Sequence, residues 1–305
     1  MFGQVNSEHI ELHRIFSLSI SISRLGDERA GISAKDDDEG KKMNDEQAVT
    51  VTPYVVNTMT VTAHSGRSKI DLGRLAEEQA SLVDGVSAST IPTISHFSYR
   101  NGKDIVRVGR VLKRNGRERK YSSKLFDNQS TVVVSLPYSG GYYINIKIFH
   151  NGNLQMTGAR SVSEAVEAAN VALGSAGGAV RDAAVHLMNS NFVINRRINR
   201  EELHDVASNL YGVRSSFNPS VYPGVKIYFM YNEHLDGRCR CECECSGIRK
   251  VSACKRITLL VFSGKATVKT SAAIITGATS DEQIRAAHGW LAGLLKAHAD
   301  RVVYS

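Results

Sequence analysis

The chain has 305 residues and a mass of 33.3 kDa, a length that suits about two domains or one large one. Hydrophobic residues make up 42% of it and charged residues 22%, which excludes wholesale disorder. No apolar run approaches the roughly 20 residues that span a bilayer. The N-terminal residues lack the apolar stretch of a signal peptide, and the termini lack a lipid-anchor motif. We therefore expect a soluble intracellular protein without membrane association.

The positive charge is concentrated in one segment. The net charge is +8, and within residues 103–124 nine basic residues accompany only two acidic ones. A concentrated basic segment favours polyanion binding, although a basic solvated loop is the plain alternative. The nine are Lys103, Arg107, Arg110, Lys113, Arg114, Arg117, Arg119, Lys120 and Lys124.

Residues 1–48 are predicted to form an N-terminal arm and a charged linker. Within them, residues 10–25 contain the run FSLSISIS, whose period of two is typical of a half-buried strand. Residues 26–48 combine low hydrophobicity with dense charge, which indicates a mobile linker.

Residues 49–180 are predicted to form a first α/β unit that carries a basic insert at 85–125. Asp71 is placed as a helix N-cap, and Ser161 with Glu164 has the capping-box spacing. The predicted order is strand, helix, three strands and helix, at 50–62, 71–83, 131–136, 143–149, 153–157 and 161–174.

The hairpin between the last two of these strands contains Asn151-Gly152. This dipeptide predicts a type I′ turn, because both central residues of that turn need positive φ.

Residues 181–305 are predicted to repeat this order, with a Cys-rich insert at 232–255. The predicted elements are a strand at 182–194, a helix at 200–210, strands at 225–231 and 256–262, a hairpin ending at 272–276 and a helix at 281–297. TGAR at 157–160 recurs as TGAT at 276–279, each time between a strand and a helix. Because hairpins dominate, the pattern favours a duplicated α+β unit over a doubly wound parallel sheet.

Three stretches of the second repeat carry a family resemblance: YPGV at 222–225, RITLLVFSGK at 256–265 and IITGATSDEQ at 274–283. They resemble the F-P-G, L-I-F-x-S-G-K and V-x-T-G-A-K-S-x-E elements of the TATA-box-binding protein family, and the resemblance covers roughly residues 49–299. It implies an α+β fold in which two tandem pseudo-symmetric repeats form a curved antiparallel sheet, a saddle, with helices on its convex face.

The same resemblance implies a function. A protein of this kind would be a minor-groove DNA-binding transcription initiation factor that bends promoter DNA. Its partners would be double-stranded DNA, a transcription factor B-like protein and RNA polymerase. The divergence resembles that of members carried by some large DNA viruses, so the expected location is the nucleus or a cytoplasmic viral replication site.

Side-chain roles follow from the resemblance and from groove chemistry. Asn57 and Asn189 match the central Asn pair of the family, and an amide donor suits the acceptors that A·T pairs present in the minor groove. Phe149 and Phe262 match the second aromatic of each wedge pair, and Tyr222 matches the first wedge of the second repeat. The predicted DNA-contact residues are Asn57, Asn189, Thr157, Thr276, Phe149, Phe262, Tyr222, Met59, Asn191, Lys147, Arg160 and Lys265.

The pattern departs from the family at two places. The first wedge of the first repeat is not evident: Phe126 is nearest, whereas strand length points to Gln129. Asn191 is polar where the family has Val on the groove floor. Taken alone, a mid-strand Asn is usually solvated and a Phe ending a strand is usually core. The duplication of these residues is what favours DNA contact.

Two alternatives remain open. Gln129 and Asn191 favour a protein-interaction scaffold that has lost specific DNA binding, and the unit also suits an accessory module of a nucleic-acid-processing enzyme. No catalytic constellation is evident in the sequence, so neither enzymatic activity nor a required cofactor is expected.

A Cys cluster lies in the second insert. Its C-x-C-x-C-x-C spacing differs from the C-x₂₋₄-C pairs of zinc sites. Three interpretations stay open: a zinc site, reduced thiols without a role, and redox or intermolecular disulfide chemistry. The candidate ligands are Cys239, Cys241, Cys243, Cys245 and Cys254.

Overall fold

The computed structural model describes residues 48–83, 91–111, 117–118, 127–137, 142–240, 254–265 and 267–304. The chain divides into two compact units, residues 1–49 and 50–305. The predicted strand at 10–25 and nearly all of the predicted linker lie outside the described residues. The fold described below is that of the second unit.

Eleven strands and five α-helices make up this unit within the described residues. The strands are β1 (Val55–His64), β2 (Thr93–Asn101), β3 (Asp104–Gly109), β4 (Gln129–Leu136), β5 (Tyr142–Phe149), β6 (Asn153–Ala159), β7 (Arg181–Ile194), β8 (Ser215–Asn218), β9 (Tyr222–Tyr231), β10 (Lys255–Phe262) and β11 (Ser271–Ala278). The helices are α1 (Leu72–Leu82), α2 (Val162–Leu173), α3 (Arg200–Asp205), α4 (Asp281–Ala297) and α5 (Ala299–Val302), and α3 runs on into a π-helical turn (Val206–Leu210). None of the described helices is both long and apolar enough to cross a membrane.

All strands join one antiparallel sheet in the order β3-β2-β4-β5-β6-β1-β7-β11-β10-β9-β8. Outward from the centre, the first half runs β1, β6, β5, β4, β2 and the second half runs β7, β11, β10, β9, β8. In both halves, when β3 is left out, the strands from the centre outward are the first, fifth, fourth, third and second of that half in the chain. Strand β3 is an additional edge strand of the first half. The prediction of a large duplicated antiparallel sheet with a few helices is confirmed, whereas β2, β3 and β8 were not predicted.

The two faces of the sheet differ. On β5, Ile144, Ile146 and Ile148 are fully buried in a cluster with α1 and α2, whereas Asn145 and Lys147 alternate with them and are partly exposed. We call the two sides the helix face and the open face. Cross-strand partners share a face, so each residue can be assigned from the strand register.

Helix α4 packs on the same face as α1 and α2. Met59 of β1 packs against the cluster of the first half and lies opposite Met188 of β7. Phe192 has the same parity as Met188, and its ring centroid is 4.6 Å from that of His288 in α4. The helices of both halves therefore cover one face.

The predicted helix starts are confirmed by their caps. The Asp71 carboxylate accepts hydrogen bonds from the backbone N–H groups of Gly73 and Arg74. At α2 both hydrogen bonds of the Ser161–Glu164 capping box are present. These side chains satisfy backbone donors that a helix leaves unpaired at its first turn, which is why the sequence located them well.

The turn between β5 and β6 is not type I′. Gly152 has φ of +83°, but the only described non-glycine residues with positive φ are Asp182 and Leu235. The Gly152 N–H donates to the Phe149 carbonyl oxygen at 2.9 Å, which closes a three-residue loop with Gly in the left-handed position. A Cβ at Gly152 would lie 2.0 Å from the Arg67 carbonyl oxygen, so the position accepts only glycine.

The segment that enters the sheet, residues 50–54, extends the β1–β7 pairing and also reaches α4. The Thr52 N–H donates to the Val193 carbonyl oxygen at 2.9 Å. The Tyr54 hydroxyl donates to the Asp281 carboxylate at 2.8 Å, and the His288 ring Nε2 lies 2.9 Å from the Thr52 carbonyl oxygen. This entry segment thus joins the start of the unit to its last long helix.

Candidate nucleic-acid interface

A pseudo-twofold axis relates the two halves of the sheet. Where β1 pairs with β7, Met59 lies opposite Met188, and the register skips Asn57 on one strand and His186 on the other. Each skipped residue is two positions before its Met, so the two bulges match under the twofold axis. The axis consequently makes Thr60 the counterpart of Asn189.

This register corrects the predicted Asn pair. Asn189 lies opposite Thr276, but Thr157 lies opposite Thr60. Asn57 occupies the β1 bulge, three residues from the matching position. The sequence motifs matched Asn57 with Asn189, but the strand pairing matches Thr60 with Asn189. The interval between the Asn and the N-cap of the next helix is longer in the first half than in the second, so sequence spacing alone does not locate the equivalent residue.

A polar row crosses the centre of the open face. In the second half the Thr276 hydroxyl donates to Asn189 Oδ1 at 2.5 Å, and Asn189 is partly exposed. In the first half Thr60 and Thr157 lie in the same row, next to Asn145. Asn145 was missed in the sequence, although it alternates with Lys147 on β5 and so had to share its face.

An aromatic pair stands at the outer part of the open face in the second half. The rings of Tyr222 and Phe262 meet edge to face with centroids 5.7 Å apart. Both rings close over Gly224, where a Cβ would lie 2.8 Å from Phe262 and 3.0 Å from Tyr222. The Lys226 ammonium lies 4.4 Å from the Tyr222 ring centroid.

The Tyr222 hydroxyl is buried and finds no hydrogen-bond partner among the described residues. This burial raises the pKa of Tyr222 to about 12, so the group is a neutral donor at physiological pH.

Two further cations lie beside another ring of the open face, that of Tyr228 on β9. The guanidinium groups of Arg214 and Arg256 lie 5.4 Å and 5.9 Å from the centroid of the Tyr228 ring. Contact with an aromatic face orients a cation at modest cost in side-chain freedom. No open-facing position that the structure describes on β8 to β11 carries a carboxylate. The second half therefore presents aromatic, amide and cationic groups on one surface.

The equivalent region of the first half is built differently. Phe149 lies opposite Gln129, whereas the β9–β10 register, in which Val225 lies opposite Val261, sets Gly224 opposite Phe262. Gln129 is therefore the counterpart of Gly224, and the prediction that it takes the wedge position is corrected. The counterpart of Tyr222 is two residues earlier, at Asp127.

Asp127 has a negatively charged side chain where an inserting wedge would need an apolar one. Its carboxylate is 3.2 Å from Arg100 Nε, and its side chain is 71% exposed. On the neighbouring strands, the open-facing side chains of His96 and Val133 are buried. Phe149 borders a groove that also contains Asp182. Among the described residues this region has no aromatic pair. It does have cations, because the strand register puts Lys147 and Arg107 in one row across its open face.

Two predicted contact residues lie away from the open face. Met59 packs on the helix face. The Arg160 guanidinium lies 4.3 Å from the centroid of the Tyr142 ring, and Tyr142 packs against the helix-face cluster. Met59 lies on the helix face because it is two residues from buried Val61 on the same strand. Arg160 comes directly after the end of β6, where the chain leaves the sheet and enters α2.

Three other predicted residues have different surroundings. Asn191 is on the open face opposite Ile274 but is only 8% exposed. Lys147 lies on the open face of β5, opposite Thr131. Lys265 is exposed in the connection after β10, three residues beyond the end of that strand.

The basic insert is only partly described. It includes β2 and β3, and Arg107 of β3 lies opposite Ser98. The basic residues Lys113, Arg114, Arg119, Lys120 and Lys124 lie outside the described residues. Whether this segment reaches a polyanion stays a prediction.

The Cys cluster is also only partly described. Cys239 is exposed, and buried Cys254 accepts a hydrogen bond from Asn232 Nδ2 at 3.4 Å. Cys241, Cys243 and Cys245 lie outside the described residues. Within the described ranges no group of side chains could hold a metal ion, and the zinc interpretation stays a prediction.

Comparison with known proteins adds similarity to solved structures. No protein-family model and no curated protein matches the chain. Among solved structures it is similar to "Methanococcus jannaschii TBP", at 18% sequence identity and a TM-score of 0.44, over 81% of this chain and 99% of that chain. Values this low do not assign the chain to a family.

Proposed function

We propose that the chain is a minor-groove DNA-binding protein that acts in transcription initiation and is a divergent relative of the TATA-box-binding proteins. The observation that carries the proposal is the open face of the second half, where an amide–hydroxyl row, an aromatic pair and three cations share one surface. The quoted sequence motifs support the family relationship. In this proposal the sheet is a saddle whose concave side is the open face.

The centre of the open face suits the floor of a minor groove. Base edges of A·T pairs present only acceptors there, and Asn189 offers amide donors because Thr276 already satisfies its carbonyl oxygen. Thr58 and Thr60 beside it are small and let the groove approach closely. The centre would thus distinguish A·T from G·C pairs, whose guanine amino group would meet these donors.

The outer part of the open face suits phosphates and a base step. Lys226, Arg214 and Arg256 would neutralise phosphates, which supplies affinity without sequence preference. The ring edges of Tyr222 and Phe262 are apolar groups of the kind that insert between base pairs and bend DNA, as in the TATA-binding protein itself. The helix face would remain available for a transcription factor B-like protein and RNA polymerase.

The test is a salt-titrated binding assay on duplexes with an A·T or a G·C core. We expect the logarithm of the association constant to fall linearly with the logarithm of salt concentration. Arg256→Ala should reduce that slope by about one, and Asn189→Ala should reduce the A·T preference by about 1–3 kcal/mol. Arg285→Ala on α4 is the matched control and should change neither quantity.

Absence of binding by the folded wild-type protein at low salt would refute the proposal. The scaffold alternative would then stand, and the acidic Asp127 and the buried open-facing side chains of the first half favour it. In that case the same surface would be tested for a protein ligand.

A further inference from the structure

We infer that the protein inserts aromatic side chains into DNA at one base step only, from the second half, so that the DNA carries a single kink and the complex has a fixed polarity. This inference rests on the proposed function and specifies the kind of DNA that the open face takes: a site with one deformable step, at one end.

The second half has the space that an insertion needs. Phe262 lies over Gly224 with its ring against Tyr222, and only the missing side chain at position 224 permits this. Both rings are partly exposed. The buried, unpartnered hydroxyl of Tyr222 gains a hydrogen-bond acceptor if the ring turns toward DNA, so the free surface holds a donor that a nucleic acid would satisfy.

The first half lacks that space. Gln129 fills the position of Gly224, and it is 8% exposed. A side chain with a Cβ in this place prevents Phe149 from lying across its neighbouring strand as Phe262 does. The partner ring is missing too, because Asp127 stands where the second half has Tyr222.

Charge does not distinguish the two halves. The open face of the first half carries Lys147 and Arg107 in one cross-strand row, and the Asp127 carboxylate is paired with Arg100. The single insertion is inferred instead from the space at Gly224 and from the second ring, that of Tyr222.

One insertion has a consequence for the DNA sequence. Unstacking a base step costs a few kcal/mol and is cheapest at pyrimidine–purine steps such as TA. A protein with one wedge needs one such step, and that step must lie under the second half. The protein would therefore bind such a DNA site in one orientation only, although its sheet is nearly symmetric.

The wild-type protein tests this without any substitution. Duplexes with end-attached donor and acceptor dyes would carry a TA step at the left end of the core, at the right end, at both or at neither. We expect equal bending from left, right and both, with about tenfold weaker binding when neither is present. A clearly larger bend with both steps would overturn the inference.

Matched variants locate the kink. Phe262→Ala should remove most of the energy-transfer change and weaken binding about tenfold or more, whereas Phe149→Ala should leave both within about twofold. The double variant Asp127→Tyr/Gln129→Gly should add a second kink and increase energy transfer on the duplex with two TA steps. Thermal unfolding of each variant controls for folding.

Other outcomes separate this inference from the proposed function. Equal losses in Phe149→Ala and Phe262→Ala, or binding without bending, would overturn the single kink and leave DNA binding intact. No binding by the wild type at low salt would instead refute the proposed function.

Discussion

The two halves of the sheet have the same strand order and the same helix-covered side, but their open faces differ. At equivalent positions the first half has Asp127 and Gln129, where the second half has Tyr222 and Gly224. The helix face must exclude water and fill space, so it constrains both halves alike. The open face is buried only in part, for instance at His96 and Val133, and its exposed side chains are therefore better indicators of function than the fold is.

The largest effect we expect concerns what the halves share. Ile146 on β5 and Leu259 on β10 are equivalent and fully buried. Replacing either by Ala should lower the free energy of unfolding by about 2–5 kcal/mol. Because β1 and β7 join the halves into one sheet, each variant should still unfold in a single transition by urea titration. Two separate transitions would show that the halves are independent domains.

A smaller effect should distinguish the halves. Gly224→Val places a side chain against Phe262 and Tyr222, and overpacking of this kind costs about 1–3 kcal/mol. Calorimetry should detect a lower melting temperature together with loss of DNA bending. The matched control is Gly289→Ala in α4, where a Cβ meets nothing within 4 Å; it should raise stability by up to about 1 kcal/mol. Unchanged bending in Gly224→Val would argue against the aromatic pair as the wedge.

The smallest effect concerns a contact in the first half. The Glu78 carboxylate accepts a hydrogen bond from the Ser175 backbone N–H at 2.7 Å, another from the Ser175 hydroxyl and a third from the Ala176 N–H. These bonds lower the pKa of Glu78, so their stabilisation is complete above the unfolded-state pKa and is lost as pH falls through the lower folded-state pKa. Because the group is largely solvated, we expect less than about 1 kcal/mol.

The measurement is the difference in unfolding free energy between wild type and Glu78→Gln at pH 7 and pH 3. The difference should shrink as pH falls through the lowered folded-state pKa of Glu78, because the wild-type carboxyl then becomes neutral too. A difference that is independent of pH would show that the charge has no part in the contact.

The elements that the sequence predicted well depend on local chemistry. Caps such as Asp71 and Ser161 act within one turn, and alternating strands reveal their own faces, so α1, α2 and the β4–β6 hairpins were found. Short or irregular strands were missed: β8 has four residues, and β2 and β3 lie in a segment whose charge suggested an insert.

The site was predicted less completely because it depends on register between distant strands. The Asn57 match ignored a bulge, and the Gln129 assignment ignored a two-residue difference that only the pairing of β4 with β5 reveals. The sequence singled out Tyr222 and Phe262 because a family motif surrounds each. Arg214, Lys226 and Arg256 were missed, since their significance comes from the rings beside them.

The entry segment has a consequence for biosynthesis. Tyr54 and Thr52 make hydrogen bonds to residues of α4 that are 227 and 236 positions later in the chain. On a ribosome these contacts form only after α4 has left the exit tunnel. The strands of the first half can begin to pair earlier. The edge of β1 that pairs with β7 stays unpaired until the second half has been made. Such late, long-range contacts slow folding, and until then the exposed edge of β1 must be kept from other unfinished chains.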